Sequence, residues 1–439
     1  MVDSMRIAYL IPEFPGQTHA FFWRERTALQ RMGVAVHVVS TRRPPKKIRS
    51  HDWADQAERE TFYLTDISLL EVFRIPLSFI GFGPRALFRA VKATIEGTSL
   101  KDLLFNLVLL SLAVRLILYM RANRLTHVHS HSCANSALVA MFANRLANMT
   151  YSLTLHGDLG DYGRQQGLKW RHAAFAITIT NRLHKQVHQE LRQDVPSRIG
   201  LAPMGVDPAI FRRTERYAPW KGIGPLRLFS CGRLNACKGH QDLINAVSLL
   251  KQSGINVYLE IAGEDEVGGR GFHRELDMLM INLQLTGIVV LLGAVDERRV
   301  LEGLRAAHLF VLASHSEPLG VAIMEAMSCE TPVLATNSGG VPELIEHGLD
   351  GFLIPPKDPS AIAGAIKYLA RNPALAEQFS ASGRSKIVQR FNSDVSAGEL
   401  CRLLKRNVVP AKFGPDEYRG TPRAARPDAV TSAALDGSG

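Results

Sequence analysis

The stretch 308–343 constrains the fold of this chain more than any other. Its first apolar run, H-L-F-V-L-A, ends in a polar turn, and a pattern with apolar residues at helical spacing opens near Val321. A second apolar run, P-V-L-A-T, follows and ends in Gly339-Gly340. This order of strand, loop, helix, strand and glycine-rich loop predicts a parallel β-α-β unit. Because ligands of such sheets bind outside the carboxyl ends of the strands, both loops are expected to border a binding site.

Two glutamates, Glu317 and Glu325, stand on either side of the predicted helix start, with Gly320 between them. Carboxylates accept hydrogen bonds from sugar hydroxyls, whereas the free N–H groups at the positive end of a helix bind anions. The pair is therefore expected to frame one ligand that carries both hydroxyls and phosphates. Such a spacing also occurs by chance, so the prediction depends on motifs elsewhere in the chain.

An upstream stretch, L-R-L-F-S-C-G-R-L-N-A-C-K-G-H, has the pattern of a strand that feeds a loop containing Arg233 and Lys238. Together with the two glutamates and the run P-V-L-A-T-N-S-G-G-V-P-E, it resembles the donor site of retaining GT-B glycosyltransferases of family 4 (glycosyl transferases group 1). The opening P-E-F-P-G-Q-T-H-A-F-F-W-R-E is similar to bacterial exopolysaccharide and colanic-acid-type transferases. The resemblance is strongest over residues 226–356.

The resemblance implies an α/β GT-B fold, in which two Rossmann-like doubly wound domains face a cleft and a C-terminal helix crosses back to the first domain. A chain of 439 residues is long enough for two such domains. The predicted segments are an acceptor-side domain, a linker, a nucleotide-sugar-binding domain, a crossover helix and a disordered tail. Their bounds are 1–212, 213–224, 225–389, 390–409 and 410–439.

By the resemblance, Arg233 and Lys238 clamp the diphosphate of a nucleotide sugar. Cleaving the sugar–phosphate bond leaves negative charge on the terminal phosphate, and two fixed cations stabilise that charge without a metal. Arg supplies a planar fork of donors, and Lys supplies a point charge. The expected catalytic residues are Arg233, Lys238, His156 and Glu317, and no cofactor or metal ion is expected.

The resemblance also implies a donor-binding set in which Glu325 accepts bonds from the ribose hydroxyls and Glu317 contacts the transferred sugar. Where the family commonly has Glu-Gly-Phe-Gly, this chain has Glu-Pro-Leu-Gly, so Pro318 removes one amide donor and the identity of the sugar stays open. Backbone groups at several loop positions complete the set. The expected donor-binding residues are Gly16, Arg233, Lys238, Val295, Glu317, Leu319, Gly320, Val321 and Glu325.

Residues 151–163, Y-S-L-T-L-H-G-D-L-G-D-Y-G, form an apolar run that leads His156 into a glycine-rich loop. This element resembles the strand-then-His-Gly element of the family, in which the histidine faces the reacting sugar. Asp158 and Asp161 in the same loop are candidates for contacts with the acceptor. A satisfied loop histidine is the alternative interpretation of His156.

A second histidine group, T-H-V-H-S-H, places His127, His129 and His131 at alternate positions, so on a strand they share one face. This pattern raises a metal-site hypothesis. Because no carboxylate or cysteine cluster completes a site in the sequence, we favour the alternative that the run is a strand whose end opens onto the cleft.

Positive charge is concentrated in the first half of the chain. Residues 1–200 hold 26 Lys+Arg and 15 Asp+Glu, whereas the remainder is balanced. Such a half is typical of a protein that meets membrane headgroups, a lipid-linked phosphate or nucleic acid, although a merely solubilising surface is also compatible. We favour an anionic membrane surface over nucleic acid. The Pro-broken loop T-R-R-P-P-K-K-I-R is either part of that surface or an ordinary solvated loop.

Residues 68–121 have a helical and unusually apolar pattern. The longest uncharged segment, 103–114, has 12 residues, which is fewer than the roughly 20 needed to cross a bilayer. It is expected to be a core helix or part of a surface that lies on a membrane. Five cysteines without metal-ligand spacing, and no visible secretory signal, favour a cytoplasmic protein that is peripheral on the inner face of the cell membrane.

The sequence therefore predicts a retaining hexosyltransferase that uses a nucleotide diphosphate sugar and a lipid-linked glycan acceptor in bacterial cell-surface or exopolysaccharide biosynthesis. The same fold hosts nucleotide-sugar epimerases, and a non-catalytic scaffold subunit that only binds nucleotide sugar is a further alternative. The nucleotide base, the sugar, the acceptor, the linkage and the oligomeric state stay open.

Overall fold

A computed structural model describes residues 5–16, 19–45, 51–96, 99–265 and 268–408. Within these residues the chain forms two parallel sheets with flanking helices, one sheet in each half. The predicted disordered tail lies outside the described residues, as do residue 409 and positions 46–49 of the basic loop.

The first sheet has seven parallel strands in the order β3-β2-β1-β4-β5-β6-β7. These strands are β1 Arg6–Glu13, β2 Ala35–Arg42, β3 Phe62–Tyr63, β4 His127–His131, β5 Thr150–Leu155, β6 Phe175–Thr178 and β7 Ile199–Leu201. The helices between them are α1 Ala20–Arg31, α2 Ala54–Glu60, α3 Leu69–Ser78, α4 Pro84–Ile95, α5 Leu100–Ala122, α6 Asn135–Ala147, α7 Gln166–Trp170 and α8 Asn181–Leu191.

The second sheet has six parallel strands in the order β10-β9-β8-β11-β12-β13. These strands are β8 Leu226–Cys231, β9 Val257–Ala262, β10 Val289–Gly293, β11 Leu309–Leu312, β12 Val333–Thr336 and β13 Phe352–Ile354. The helices that follow are α9 His240–Gln252, α10 Phe272–Asn282, α11 Glu297–Ala306, α12 Val321–Ser328, α13 Val341–Leu344, α14 Pro359–Arg371, α15 Pro373–Arg390 and α16 Ser393–Asn407.

Both sheets are doubly wound, as the sequence predicts. The strand order reverses between β1 and β4 in the first sheet and between β8 and β11 in the second. Along β1, Ile7 and Tyr9 pack in one core cluster while Ala8 and Leu10 pack in another, because successive side chains of a strand point to opposite faces. The sheet is therefore buried on both sides, and its ligand-binding edge lies at the carboxyl ends of the strands.

Helix α16 returns from the second half to the first and packs against α1. The start of α16 lies against Gly205, and the next residue, Val206, forms an isolated parallel β-bridge with Asn392. A Cβ at Gly205 would come within 2.3 Å of the Asn392 carbonyl carbon, so only glycine permits this approach. The segment predicted as the linker between the domains, 213–224, packs on the second half of the chain, where Tyr217 donates a hydrogen bond to the carbonyl of His308 at 2.8 Å.

Helix α5 corrects one expectation from the sequence. The 12 uncharged residues counted in the sequence are fewer than the apolar length of this helix. The helix has 23 residues and is long and apolar enough, by length and composition, to cross a membrane. More than half of its most apolar stretch is buried inside the protein, and its second half, from Leu109 to Met120, lies mainly in the core. The first half is more exposed, so α5 is a core helix mainly over its second half.

Candidate active site

A cleft with a volume of about 510 Å³ lies between the carboxyl ends of the two sheets. Loops after β1 and β5 form one wall, and loops after β8, β10 and β11 form the other. Eight residues that the sequence predicts as donor-binding or catalytic line this cleft together. They are His156, Arg233, Lys238, Val295, Glu317, Gly320, Val321 and Glu325.

Four further predicted residues lie near the cleft but are not among its lining residues. The Leu319 side chain is fully buried, so only its backbone could serve a ligand. Asp158 forms an ion pair with Arg182 at 2.8 Å. The Asp161 carboxylate lies beside Gly157. A Cβ at Gly16 would come within 2.7 Å of the His19 ring, so packing against this histidine already accounts for the glycine.

Lys238 and Glu317 are joined directly on the wall of the second domain. The Lys238 ammonium donates to Glu317 Oε2 at 2.6 Å, and the Ser314 hydroxyl donates to the same oxygen at 3.0 Å. The turn that presents Lys238 is capped by Asn235, whose side chain accepts from the Lys238 amide at 3.2 Å. The cation and the carboxylate are thus positioned side by side at the ends of the two central strands.

The Gly339-Gly340 pair explains why Glu317 holds this position. A Cβ at Gly339 would lie 2.0 Å from the Glu317 carbonyl oxygen, and one at Gly340 would lie 2.0 Å from the Pro318 carbonyl oxygen. The Gly340 amide instead donates to the Glu317 carbonyl at 2.9 Å. Since only glycine allows two backbones to approach so closely, this pair fastens the loop after β11 to the loop after β12.

Arg233 lies at the end of β8 and lines the same cleft. Burial lowers the pKa of His19, on the opposite wall of the cleft, to about 4, and the positive charge of Arg233 contributes to this lowering. Arg233 and Lys238 therefore supply two cations from one loop, as the sequence predicts for a site that receives an anion.

The second glutamate of the predicted pair contacts the first domain. Arg24 on α1 extends across the cleft, and its Nη2 lies 2.8 Å from Glu325 Oε1 and 2.6 Å from Glu297 Oε2. Burial raises the pKa of Glu325, and Arg24 partly opposes that rise. Burial lowers the pKa of Arg24, but the two carboxylates outweigh it and the net pKa is raised. One guanidinium thus pairs with two carboxyl groups at the interface between the domains.

Arg24 has further capacity to bind a ligand. Its Nε and Nη1 groups are buried and lack hydrogen-bond partners among the described residues. The guanidinium lies over the Phe211 ring, with its central carbon 4.7 Å from the ring centroid. Because buried N–H groups are rarely left without an acceptor, these two donors mark a place where a ligand oxygen or water fits.

A chain of three side chains leads from Glu25 to the cleft. Glu25 Oε2 lies 3.3 Å from His131 Nε2, and His131 Nδ1 lies 3.0 Å from His156 Nε2. Glu25 also accepts hydrogen bonds from Tyr9 and from Ser396 of α16, each at 2.6 Å. Burial alone would raise the pKa of Glu25, but these donors, led by His131, hold it at about 2.

The ionised Glu25 favours one tautomer of both histidines. Its contact with His131 Nε2 at 3.3 Å lacks hydrogen-bond geometry, but its negative charge favours a proton on that nitrogen. His131 then accepts on Nδ1, and His156 donates from Nε2. The lone pair of His156 Nδ1 is then directed away from Glu25 and His131. This nitrogen is buried and has no hydrogen-bond partner among the described residues. Burial lowers the pKa of His156 to about 3, so the ring is neutral at physiological pH. The cleft therefore contains a fixed hydrogen-bond acceptor.

The other two histidines of β4 have structural partners. His127 contacts the hydroxyls of Thr150 and Ser152, and His129 contacts those of Ser152 and Thr154. The three side chains share one face of the strand, as predicted. Among the described residues, no group of three His, Cys, Asp or Glu side chains could hold a metal ion.

The last residue of the G-G-V-P-E run joins the two domains. The Glu343 carboxylate accepts from the backbone N–H groups of Asn181 and Arg182 at 2.7 and 2.8 Å, at the start of α8. A carboxylate at a helix N-terminus satisfies free donors and is favoured by the helix dipole. Glu343 therefore stabilises the contact between the domains beside the cleft.

Solved structures define the class of this fold. The structure resembles HepE of Anabaena in complex with UDP-glucose with a TM-score of 0.70, covering 92% of this chain and 100% of that chain at 18% identity. Sucrose-phosphate synthase of Thermosynechococcus elongatus gives a TM-score of 0.69, covering 92% and 98% of the two chains at 19% identity. At such identities the likeness shows the fold alone. Two doubly wound domains facing a cleft constitute the GT-B fold.

Sequence comparison identifies a domain in the second half of the chain. Residues 218–386 match glycosyl transferases group 1, so this portion of the chain is a glycosyl transferases group 1 domain and the predicted resemblance is confirmed. Amylovoran biosynthesis glycosyltransferase AmsK of Erwinia amylovora is 29% identical over 50% of this chain and 54% of its own length. Putative colanic acid biosynthesis glycosyltransferase WcaL of Salmonella typhimurium is 32% identical over 48% and 52%. The chain thus spans about half the length of these curated relatives.

Sequence reasoning missed four residues that the structure brings to the site: Arg24, Glu25, Glu297 and Glu343. Each acts through a partner in the other half of the chain or on a distant strand. Glu343 ends the quoted run G-G-V-P-E, but that motif does not indicate a contact with α8. For Arg24 and Glu25 the available signal was the run W-R-E-R on α1, in which both are largely buried charges. A predicted amphipathic helix with adjacent charges gives no indication of which charge is buried.

Proposed function

We propose that this chain is a retaining glycosyltransferase that transfers a hexose from a nucleotide diphosphate sugar to a lipid-linked glycan in bacterial exopolysaccharide biosynthesis. The observation that carries the proposal is the meeting of Arg233, Lys238, Glu317 and Glu325 on one wall of a single interdomain cleft. Cations for a diphosphate and carboxylates for hydroxyls are the groups that a nucleotide sugar requires. The names of AmsK and WcaL support the exopolysaccharide context.

In the proposed reaction, the bond between the anomeric carbon and the diphosphate oxygen breaks. Arg233 and Lys238 stabilise the charge that develops on that oxygen, and this is the main electrostatic contribution to catalysis. The acceptor hydroxyl forms the new bond on the face from which the diphosphate departs, so the anomeric configuration is retained. The acceptor proton passes to the leaving phosphate, which is the nearest strong base in this scheme.

The remaining residues hold the substrates in place. We propose that Glu325 accepts from the ribose, while Glu317 contacts the transferred sugar through the carboxylate that Lys238 already holds at 2.6 Å. His156 Nδ1, as a neutral acceptor, binds one hydroxyl of the sugar. The backbone near Gly16, Val295 and Leu319 is proposed to complete the donor site, and Asp158 and Asp161 remain candidates on the acceptor side. We propose that no metal ion is needed.

The test is a donor panel of nucleotide sugars, with membrane lipid extract as the acceptor and the nucleoside diphosphate as the measured product. Release of one nucleoside diphosphate, stimulated by the extract and unchanged by EDTA, is the expected result. Binding of a donor without release under any condition would favour a scaffold subunit. Conversion of the donor sugar without an acceptor would favour an epimerase. The proposed location is the cytoplasmic face of the cell membrane.

A further inference from the structure

Three neighbouring helices of the first domain expose large apolar side chains. Leu70, Phe73 and Phe88 are 82%, 72% and 71% exposed. We call the following set, contributed by α3, its C-terminal turn, α4 and the first half of α5, the apolar surface. Its members are Leu69, Leu70, Val72, Phe73, Leu77, Ile80, Phe88, Val91, Ile95, Leu100, Leu104, Phe105, Leu107 and Val108. Contiguous apolar exposure on this scale is rare in monomeric proteins and marks a surface that binds a partner.

Helix α4 shows that this exposure is built into the sequence. Three of its four large apolar residues, Phe88, Val91 and Ile95, are exposed at helical spacing, whereas Leu87 and the small residues Ala86 and Ala90 pack against the protein. In an ordinary surface helix the large apolar side chains face the core. The arrangement in α4 is the reverse, so its apolar face is directed toward another apolar phase.

Cations flank the apolar surface. Arg85, Arg89 and Lys92 recur at i, i+4 and i+7, which places them along one flank of the exposed face of α4. Arg74 and Lys101 add two further cations on α3 and α5. None of these five forms an ion pair within the described ranges.

The acidic residues of these helices are already neutralised. Glu71 pairs with Arg115 at 2.8 Å, Glu96 with Arg171 at 2.6 Å, and Asp102 with Arg164 at 3.3 Å. The net field of this region is therefore positive. An anionic phospholipid surface is the partner that combines an apolar phase with a layer of negative charge.

We propose that the apolar surface inserts into the interfacial region of an anionic phospholipid bilayer. Helix α5 does not cross the bilayer in this arrangement, because its second half is packed in the core of the first domain. The protein lies on one leaflet, with Phe73 and Phe88 among the side chains at the depth of the acyl chains and with Arg85, Arg89 and Lys92 at the headgroups.

The apolar surface also adjoins the acceptor side of the cleft. Arg164 pairs with Asp102 at the start of α5. It directly follows the loop that carries Tyr162, and Tyr162 lines the cleft. Membrane insertion of α5 thus sets this wall of the cleft next to the headgroups, where a lipid-linked acceptor would lie. This last step rests on the proposed function, whereas membrane binding itself does not.

The experiment measures cosedimentation of the full chain with vesicles of phosphatidylcholine alone and of phosphatidylcholine with phosphatidylglycerol. The test variant carries Leu70→Gln, Phe73→Gln and Phe88→Gln, all at exposed positions, so folding is not at risk. The control carries Ile223→Gln, Met278→Gln and Ile281→Gln, three exposed apolar residues outside the first domain. A third variant, Arg85→Ala with Arg89→Ala and Lys92→Ala, tests the charge.

We expect the wild type and the control to bind anionic vesicles, and the test variant to lose at least about 10-fold in partition coefficient. The charge variant should lose binding to anionic vesicles only. Equal binding by the test variant, or no vesicle binding by the wild type, would overturn the proposal. It would also be overturned if the wild type were a dimer that binds no vesicles and that the test variant converts to monomers, since the surface would then be a contact between two copies.

Failure of this proposal is distinguishable from failure of the proposed function. Hydrolysis of nucleotide sugar without lipid reports the donor site alone and should be equal in the wild type and the test variant. A wild type that binds vesicles but releases no nucleoside diphosphate from any donor would leave membrane insertion intact and refute the transferase.

Discussion

The two domains differ in how their chemistry is encoded. In the second domain, the loops after β8 and β11 carry Arg233, Lys238 and Glu317 within short motifs, and glycines hold these loops together. In the first domain, His156 depends on a chain of contacts through His131 to Glu25, which are distant in sequence. One wall of the cleft is thus specified locally, whereas the other exists only after the whole domain has packed.

Substitutions in the two domains are therefore expected to act in different ways. A change in a motif loop removes a group that is proposed to contact the donor. A change in the first domain acts at a distance, by altering a tautomer, a charge balance or the approach of the two domains. Substitutions in the two domains can therefore separate these modes of action.

Arg233→Ala tests the direct mode. Removing one fixed cation from the site of developing charge should lower kcat by about 100- to 1,000-fold, the usual cost of losing one such donor. Arg298→Ala is the matched control, because Arg298 is an exposed arginine of the same domain whose one ion pair among the described residues is with Glu302. Steady-state release of nucleoside diphosphate measures both. A variant that keeps most of its activity and folds normally would falsify the assignment of Arg233 to the diphosphate.

Glu25→Gln tests the indirect mode. The carboxamide offers one acceptor oxygen to three donors, Tyr9, Ser396 and His131, and its own N–H₂ can donate to His131. The tautomers of His131 and His156 would then reverse, and the cleft would lose its acceptor. We expect kcat to fall by about 10- to 100-fold while the Kd of the nucleoside diphosphate changes little.

The nitrogen-15 chemical shifts of His156 provide a readout that a merely structural role would not move. They should show protonation on Nε2 in the wild type and on Nδ1 in Glu25→Gln. Identical shifts in the two proteins would show that Glu25 does not set the tautomer.

Arg24→Met tests the contact between the domains. Its loss leaves Glu297 and Glu325 without their shared cation in a cleft that is proposed to receive a diphosphate. The added negative charge should raise the Kd of the nucleoside diphosphate by about 10-fold, as measured by calorimetry. Adding Glu297→Gln restores the charge balance and should recover much of the affinity. Equal affinity in the wild type and Arg24→Met would contradict this role.

Acid should weaken the first domain before the second. Burial lowers the pKa of both His127 and His156 to about 3, whereas an unfolded histidine titrates near 6.5. Between these values the unfolded state binds more protons, so stability falls as the pH drops below about 6.5, by at most ~1.4 kcal/mol per pH unit for each such group. Glu25, with its pKa of about 2, adds to the loss below about pH 4.5.

The domains differ because the first has more such histidines. Burial lowers the pKa of His19 and His37 to about 4 as well, while in the second domain this applies to His240 and His308. Calorimetry at pH values from 7 to 4.5 should resolve two transitions that separate as the pH falls. Three of the four tryptophans, Trp23, Trp53 and Trp170, lie in the first domain, so most of the change in tryptophan fluorescence should accompany the earlier transition. Transitions that shift in parallel would contradict this prediction.

The sequence predicts the second domain well because its site consists of loops that follow strands directly. Apolar runs locate the strands, and the residues after them must lie at the carboxyl edge of the sheet. The pattern places Glu317 and Lys238 at that edge, whereas their assignment to a donor site rests on the family resemblance. The position of Arg24 is not predictable in this way, because its acidic partners lie on α11 and α12 of the other domain, and no local pattern encodes such a contact.

Helix α4 illustrates a second limit. Its periodicity predicts an amphipathic helix with Phe88 and Val91 on one face, but periodicity does not state which face is directed inward. Small alanines on the packed face allow α4 to approach α6 closely, and this packing leaves the larger side chains outside. Only the tertiary arrangement reveals the reversal.

The hydrogen bond from Ser396 to Glu25 makes the site dependent on the order of translation. Helices α3 to α5 leave the ribosome long before α16, so the apolar surface is available while the second domain is still being synthesised. Ser396 arrives only with α16, and until then Glu25 lacks one of its donors and the chain that fixes His156 is incomplete. A nascent chain can thus form the apolar surface before the contacts around Glu25 are complete, so this wall of the cleft is finished only when synthesis of α16 has ended.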